Sequence, residues 1–301
     1  MSSSGIATVT DCMFINNTAN SGAGFCADQY SQHVTLRRCT FQQNAGGGVR
    51  NRGVSMDVID CIFNGNSTGG GMINYGEIST IVNCLFVGNT GGGLVNTGAL
   101  SSGATTSLIL GCTFVENVAS GSGGGMYNVS DSSPTVTNCV FWANADSGGI
   151  TAESQIYNHP TNGVNVPVVT YSCVQDAVAG DLNVYPGVGN IDVNPMFVLD
   201  PDPGLDGLWD GVDDEYGDLH LQAGSPGINV GDNSAVASAG VSTDLDGNIR
   251  VLGGTVDMGA YEWPSLSPSV PTLSGPALAT LAVVLLTVGI VLARGSRPAR
   301  M

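Results

Sequence analysis

Residues 39–51 read CTFQQNAGGGVRN, and the first six of them decide how the chain is built: a cysteine, Phe two residues on, Asn three after that. The same phrase occurs as Cys12-Phe14-Asn17, Cys39-Phe41-Asn44, Cys61-Phe63-Asn66, Cys84-Phe86-Asn89, Cys112-Phe114-Asn117 and Cys139-Phe141-Asn144. Successive cysteines stand 27, 22, 23, 28 and 27 residues apart. A period of about 20–50 residues marks a solenoid, whose repeats bury their apolar sides against one another.

Three residues before each Cys stands an apolar residue: Val9, Leu36, Val58, Ile81, Ile109 and Val136. Cys and the Phe two later share one strand face, whereas the minus-three column has the opposite parity, so the chain must bend between them. The column just before Cys (Asp11, Arg38, Asp60, Asn83, Gly111, Asn138) is rich in residues that tolerate a corner. The Asn after Phe marks a second corner, where amides could bond along the stack. A Gly-rich stretch of variable length follows, then an apolar column read as Phe25, Val49, Met72, Leu94, Met126 and Ile150. Short strands, two polar corners and a variable third side fit an all-β parallel β-helix. A helical repeat would not carry so much Gly, and the leucine-rich-repeat signature is missing.

The cysteine row reads as buried free thiols behaving as small apolar groups, with disulfides between adjacent coils as the competing reading. Cys26, in an outward column, is a candidate reactive or paired thiol. Cys173 resembles a last rung that has lost its Phe. Arg38 shares a column with Asp11 and Asp60, and Arg52 neighbours Asp28, which suggests charge ladders between coils.

Residues 1–190 are thus assigned to the solenoid, with 151–190 expected to close it. Residues 191–263 turn Asp- and Gly-rich and are expected to form a β-rich cap. Asp202, Asp206, Asp210, Asp213 and Asp214, with Asp244 and Asp246 further on, are candidate Ca²⁺ ligands, since alternating oxygen ligands and Gly suit that ion. The alternative is that Asp and Gly here only build turns. Residues 264–276 form a Pro/Ser linker, and 277–301 hold a charge-free run of 17 residues (277–293) followed by Arg294, Arg297 and Arg300. That run is expected to be one transmembrane helix, with its Arg flank in the cytoplasm and the repeats outside.

The chain has no Lys, and before Pro264 it sets five Arg against 25 acidic residues, a net charge of −20. Nucleic acid is excluded as a partner on that ground. The start, MSSSGIATVTDC, lacks a charged or apolar leader region and enters the first repeat at once, so the chain is expected to begin part-way through a longer protein.

Phe-x-x-Asn with Gly-Gly-Gly-apolar resembles the repeats of polymorphic outer-membrane proteins and related bacterial right-handed parallel β-helix surface proteins. Residues 190–263, with LHLQAGSPGINVGD and VDMGAYEW, look like the closing region of many such proteins. Val270-Pro271-Thr272-Leu273-Ser274 before an apolar run and arginines is similar to C-terminal sorting signals of the IPTL/PEP type. The resemblance implies export, recognition by sorting machinery, and display at the cell surface, often for adhesion. It brings no enzymatic residues. The chain departs from the polymorphic proteins in ending on a single apolar segment and not a translocating barrel.

Two functions follow as expectations. The first is a displayed, non-catalytic rod that contacts extracellular glycans or the surface proteins of a host or neighbour. Its contacts are expected on the Gly-rich side, at Tyr30, Tyr75 and Tyr127. The second is a carbohydrate-active enzyme, a lyase or hydrolase, on the same fold, although no catalytic residues can be assigned.

Overall fold

In the computed structural model of the chain, residues 5–53, 55–75, 79–98, 107–160, 165–176, 184–209 and 211–264 are described. The expected sorting motif (Val270 to Ser274), the expected transmembrane helix (277–293) and Asp210 lie outside them. No helix among the described residues is long and apolar enough to cross a membrane.

Each coil is a strand, a sharp bend, a second strand, a turn and a third strand. In one coil these are His33–Arg37, Thr40–Gln42 and Val49–Asn51. Among the described residues, stacked coils form three parallel sheets, whose strands are counted over those residues. Sheet 1 has seven strands, from Ile6–Thr10 to Val168–Thr170. Sheet 2 also has seven, from Met13–Ile15 to Cys173–Val174. Sheet 3 has six, from Phe25–Ala27 to Ile156–Asn158. The expected parallel β-helix is therefore present.

The bends sit where the sequence changes character. Asp11, Arg38, Asp60, Asn83, Gly111, Asn138 and Tyr171 all adopt left-handed backbone, with φ between 47° and 59°. That conformation turns the chain between sheets 1 and 2 and lets both the minus-three residue and Cys face inward. The second corner differs by one position from the sequence reading. Its left-handed residues are Asn16, Gln43, Gly65, Gly88, Glu116 and Ala143, which frees the following Asn to point into the core.

Inside, like stacks on like. Phe14, Phe41, Phe63, Phe86, Phe114 and Phe141 form a file with centroids 4.5–5.0 Å apart, close to the strand spacing of about 4.8 Å. Beside it runs the amide ladder. Asn89 Nδ2 donates to Asn117 Oδ1 at 2.7 Å and to the Phe63 carbonyl at 2.9 Å, and its own Oδ1 accepts from both nitrogens of Asn66. The ladder ends on Gln155, whose Oε1 accepts from Asn144 at 2.8 Å. A second amide ladder runs through Asn51, Asn74, Asn96, Asn128 and Asn158.

All eight cysteines are free thiols. Backbone N–H groups of Cys84 and Cys112 donate to the next thiol in the row at 3.4 Å. Ser172 continues the row, since Cys139 N donates to Ser172 Oγ at 3.1 Å. Cys173 pairs with Val140 and faces outward, and Val174 takes the Phe position beside Phe141. The last rung is thus Ser-Cys-Val in place of Cys-x-Phe, which corrects the reading of Cys173. Burial pushes its thiol up to about 12.

Residues 184–191 close the solenoid's end: Tyr171 N donates to the Val188 carbonyl and Val174 N to the Ile191 carbonyl. Residues 191–264 do something else. Among the described residues they hold one antiparallel pair, Phe197–Leu199 with Asp218–Leu221, and one short helix, Asn233–Ser238. They run back along the outside of sheets 1 and 2 as a lateral clasp. Phe197, Leu219, Leu221, Met258 and Ala260 pack on the outer faces of Leu85, Val87, Val115 and Val140. Val236 and Val256 pack on Val82 and Leu110. The physical reason is that sheet 2's outward residues turn apolar in the later coils and need a cover. Arg250, fully buried, fixes the clasp by donating to Glu262 at 2.8 Å and to the Gly259 carbonyl at 2.6 Å.

Candidate functional site

Parallel register on sheet 3 turns its outward column into a row: Cys26, Arg50, Ile73, Val95, Tyr127, Tyr157. The last two rings stack in parallel, 5.5 Å between centroids and 6° between planes. His159 meets both edge-on, at 6.2 and 6.4 Å. The Gly-rich turn of the same coil, 119–123, rises beside them. Gly123 is required there: its φ is +72°, and a Cβ would stand 3.0 Å from that of Tyr157 and 3.1 Å from that of Tyr127.

Between the turn and the rings lies an open cavity of about 670 Å³, walled by Thr68, Thr90, Ser120 and Ser122 besides Val95 and the aromatic residues. Its described lining carries hydroxyls, ring faces and backbone, and neither carboxylate nor Arg. Burial first, and the neighbouring Tyr157 second, push the Tyr127 hydroxyl above its ordinary range, so it stays a proton donor at neutral pH. Such a site can stack flat apolar faces and exchange hydrogen bonds with neutral hydroxyls.

Of the three expected tyrosines, Tyr127 lies in this cavity. Tyr75 sits under the Arg50 guanidinium, 5.2 Å from ring centre to Cζ. Tyr30 is exposed and outside the cavity's lining. Sequence reading missed Tyr157 and His159 because it placed Ile150 in the apolar column. Ile150 is exposed; an insertion carrying the helix Ala152–Gln155 displaces the column to Ile156. The signal was present in the repeat of Met126-Tyr-Asn128 as Ile156-Tyr-Asn158.

The acidic candidates spread along the clasp. Asp202 accepts from Gly204 N, Asp206 from Leu208 N, Asp213 from Leu205 N and Asp214 from Gly211 N. Asp244 accepts from the backbone of Asn248 and Glu262, and Asp246 from His220 Nε2 at 2.9 Å. No three His, Cys, Asp or Glu side chains among the described residues converge as a metal-sized group. Of the expected charge ladders, Arg38 pairs with Asp11 through both carboxylate oxygens, while Asp60 is met by Arg37 at 3.4 Å and not by Arg38. His33 bridges Ser55 and Asp57 at 3.1 and 3.2 Å on the outer face of sheet 1, a cross-strand bond set between adjacent rungs.

The family described as right handed beta helix region matches residues 1–164. The chain belongs to that family. The assignment gives the solenoid its hand and agrees with the three parallel sheets. A solved structure of the pectate lyase Pel9A is similar over 85% of this chain and 59% of its own length, at 18% identity and a TM-score of 0.41. The chain therefore spans less than two thirds of that protein. No curated protein matches the sequence.

Proposed function

We propose that this right-handed β-helix is an exported, surface-displayed rod, non-catalytic, that binds neutral glycans on the outer face of sheet 3. The observation that carries the reading is the parallel Tyr127–Tyr157 pair flooring an uncharged, hydroxyl-lined cavity. Aromatic rings pack on the C–H groups of sugars and their hydroxyls exchange hydrogen bonds, and the stacked pair sets two such side chains next to each other on adjacent rungs. The body's excess of acid works against polyanionic ligands.

Display rests on the tail. Val270-Pro271-Thr272-Leu273-Ser274, the apolar run and the closing arginines supply a motif for sorting machinery and a membrane anchor. A supporting role for Ca²⁺ in the Asp-rich loops belongs to the same proposal. The test is calorimetric titration of the full chain with soluble neutral glucan, mannan and xylan, with and without Ca²⁺. Tyr127→Ala should weaken binding up to about tenfold, from the 0.5–1.5 kcal/mol of an aromatic contact. Undiminished binding by that variant would move the site elsewhere, and depolymerisation of any of the three polymers would replace the non-catalytic reading with the enzymatic one.

A further inference from the structure

Tyr157 faces two cavities. With Tyr127 it floors the one described above, and on its other side it lines a second, of about 560 Å³, with Glu153, Val166, Pro167, Asp176 and Tyr185 among the walls. The second cavity lies at the end of sheet 3. Among the described residues sheets 1 and 2 have seven strands each and sheet 3 has six, the last of them Ile156–Asn158. Residues 184–186 lie beside that strand, where the Tyr185 hydroxyl accepts from Asn158 Nδ2 at 3.2 Å.

We infer that the two cavities form one binding track, and that its ligand is an extended, linear neutral glycan crossing Tyr157 with sugar units on both sides. The inference rests on the glycan reading above and deepens it. Rungs follow one another at about 4.8 Å, close to the length of one unit in an extended glycan, so successive units meet successive rungs. The first cavity offers neutral hydroxyls and ring faces. The second adds the carboxylates of Glu153 and Asp176, which accept hydrogen bonds from sugar hydroxyls and repel uronates. Val166, 64% exposed, and Val184, 41% exposed, present apolar surface beside them for the C–H faces of a sugar. A ligand long enough to enter both cavities gains from the second at high effective concentration.

The test is calorimetric titration of the full chain with cello-, manno- and xylo-oligosaccharides of increasing length, with polygalacturonate as the charged comparison. Affinity is expected to rise with length, level, and rise again once the oligomer reaches the second cavity. Val166→Trp, which fills that cavity from the surface, should lower the long-to-short affinity ratio about tenfold, and Glu153→Gln should lower it less. A single plateau, with the same ratio in wild type and Val166→Trp, would overturn the continuous track while leaving a glycan site at Tyr127. Failure of every neutral oligomer to bind, or tighter binding of polygalacturonate, would remove both the track and the glycan reading.

Discussion

Asn89 concentrates the forces that keep one coil in register with the next. It is fully buried, yet each of its side-chain polar atoms is bonded, upward to Asn117, downward to Asn66 and sideways to the Phe63 carbonyl. Removing a single member strands partners above and below, and an unmet buried donor costs about 1–3 kcal/mol. Asn89→Leu should therefore destabilise by about 3 kcal/mol in urea unfolding, whereas a loss under about 0.5 kcal/mol would mean the ladder is dispensable. Gly71 is constrained by proximity: a Cβ there would lie 2.6 Å from the Gly93 carbonyl oxygen and 2.7 Å from the Phe86 ring. Backbone and a stacked ring cannot withdraw, so Gly71→Ala should cost about 1–3 kcal/mol, read by the same unfolding curve. The Gly before each apolar column is thus demanded by the Phe file that the sequence displays beside it.

At the scale of elements, the three-strand coil, the bend before Cys and the stacking of Phe and Asn were legible because each uses the same residue type in every copy. A period exposes columns even when no single residue is decisive. The sixth coil was misread at Ile150 because an eleven-residue excursion, 145–155, separates its Asn from its third strand, and spacing alone could not bridge it. The clasp was missed for a different reason. Its cue is negative: Thr40-Phe-Gln42 alternates, but Leu85-Phe-Val87 and Val140-Phe-Trp142 do not, so both faces of those strands are apolar. Read alone, that pattern says only that something covers sheet 2. Val87→Asp, placing a charge under the clasp, should release it: amide exchange in 197–221 should accelerate while 109–115, inside the coils, stays slow. Equal acceleration of both segments would show that clasp and coils unfold as one unit.

Taken as a whole, the molecule carries a formal charge of −17, and burial under the clasp adds to the cost of that acidity. Burial chiefly, then Asp200 and Asp202, raise Glu116 to about 7. Burial opposes charge on His220, but the carboxylates of Asp218 and Asp246, one on each ring nitrogen, outweigh it and hold its pKa above the ordinary value. Both groups therefore bind more protons folded than unfolded. Glu116's contribution is complete below about pH 4.5 and is lost as pH climbs through 7; that of His220 is complete below about pH 6.5 and is lost above it. The melting temperature should fall between about pH 5 and pH 8, and Glu116→Gln should flatten the lower part of that slope. A melting temperature that rises over this range would contradict the assignment.

The glycan face is the central functional claim, and amide exchange of the full chain with and without a saturating neutral oligosaccharide tests it most directly. Protection of 119–127 and 156–159, on the outer side of sheet 3, extending to 165–167 and 184–185 for oligomers long enough to reach the second cavity, is the predicted result. Protection of the outer face of sheet 1 or of the clasp, with 119–127 and 156–159 unchanged, would contradict it.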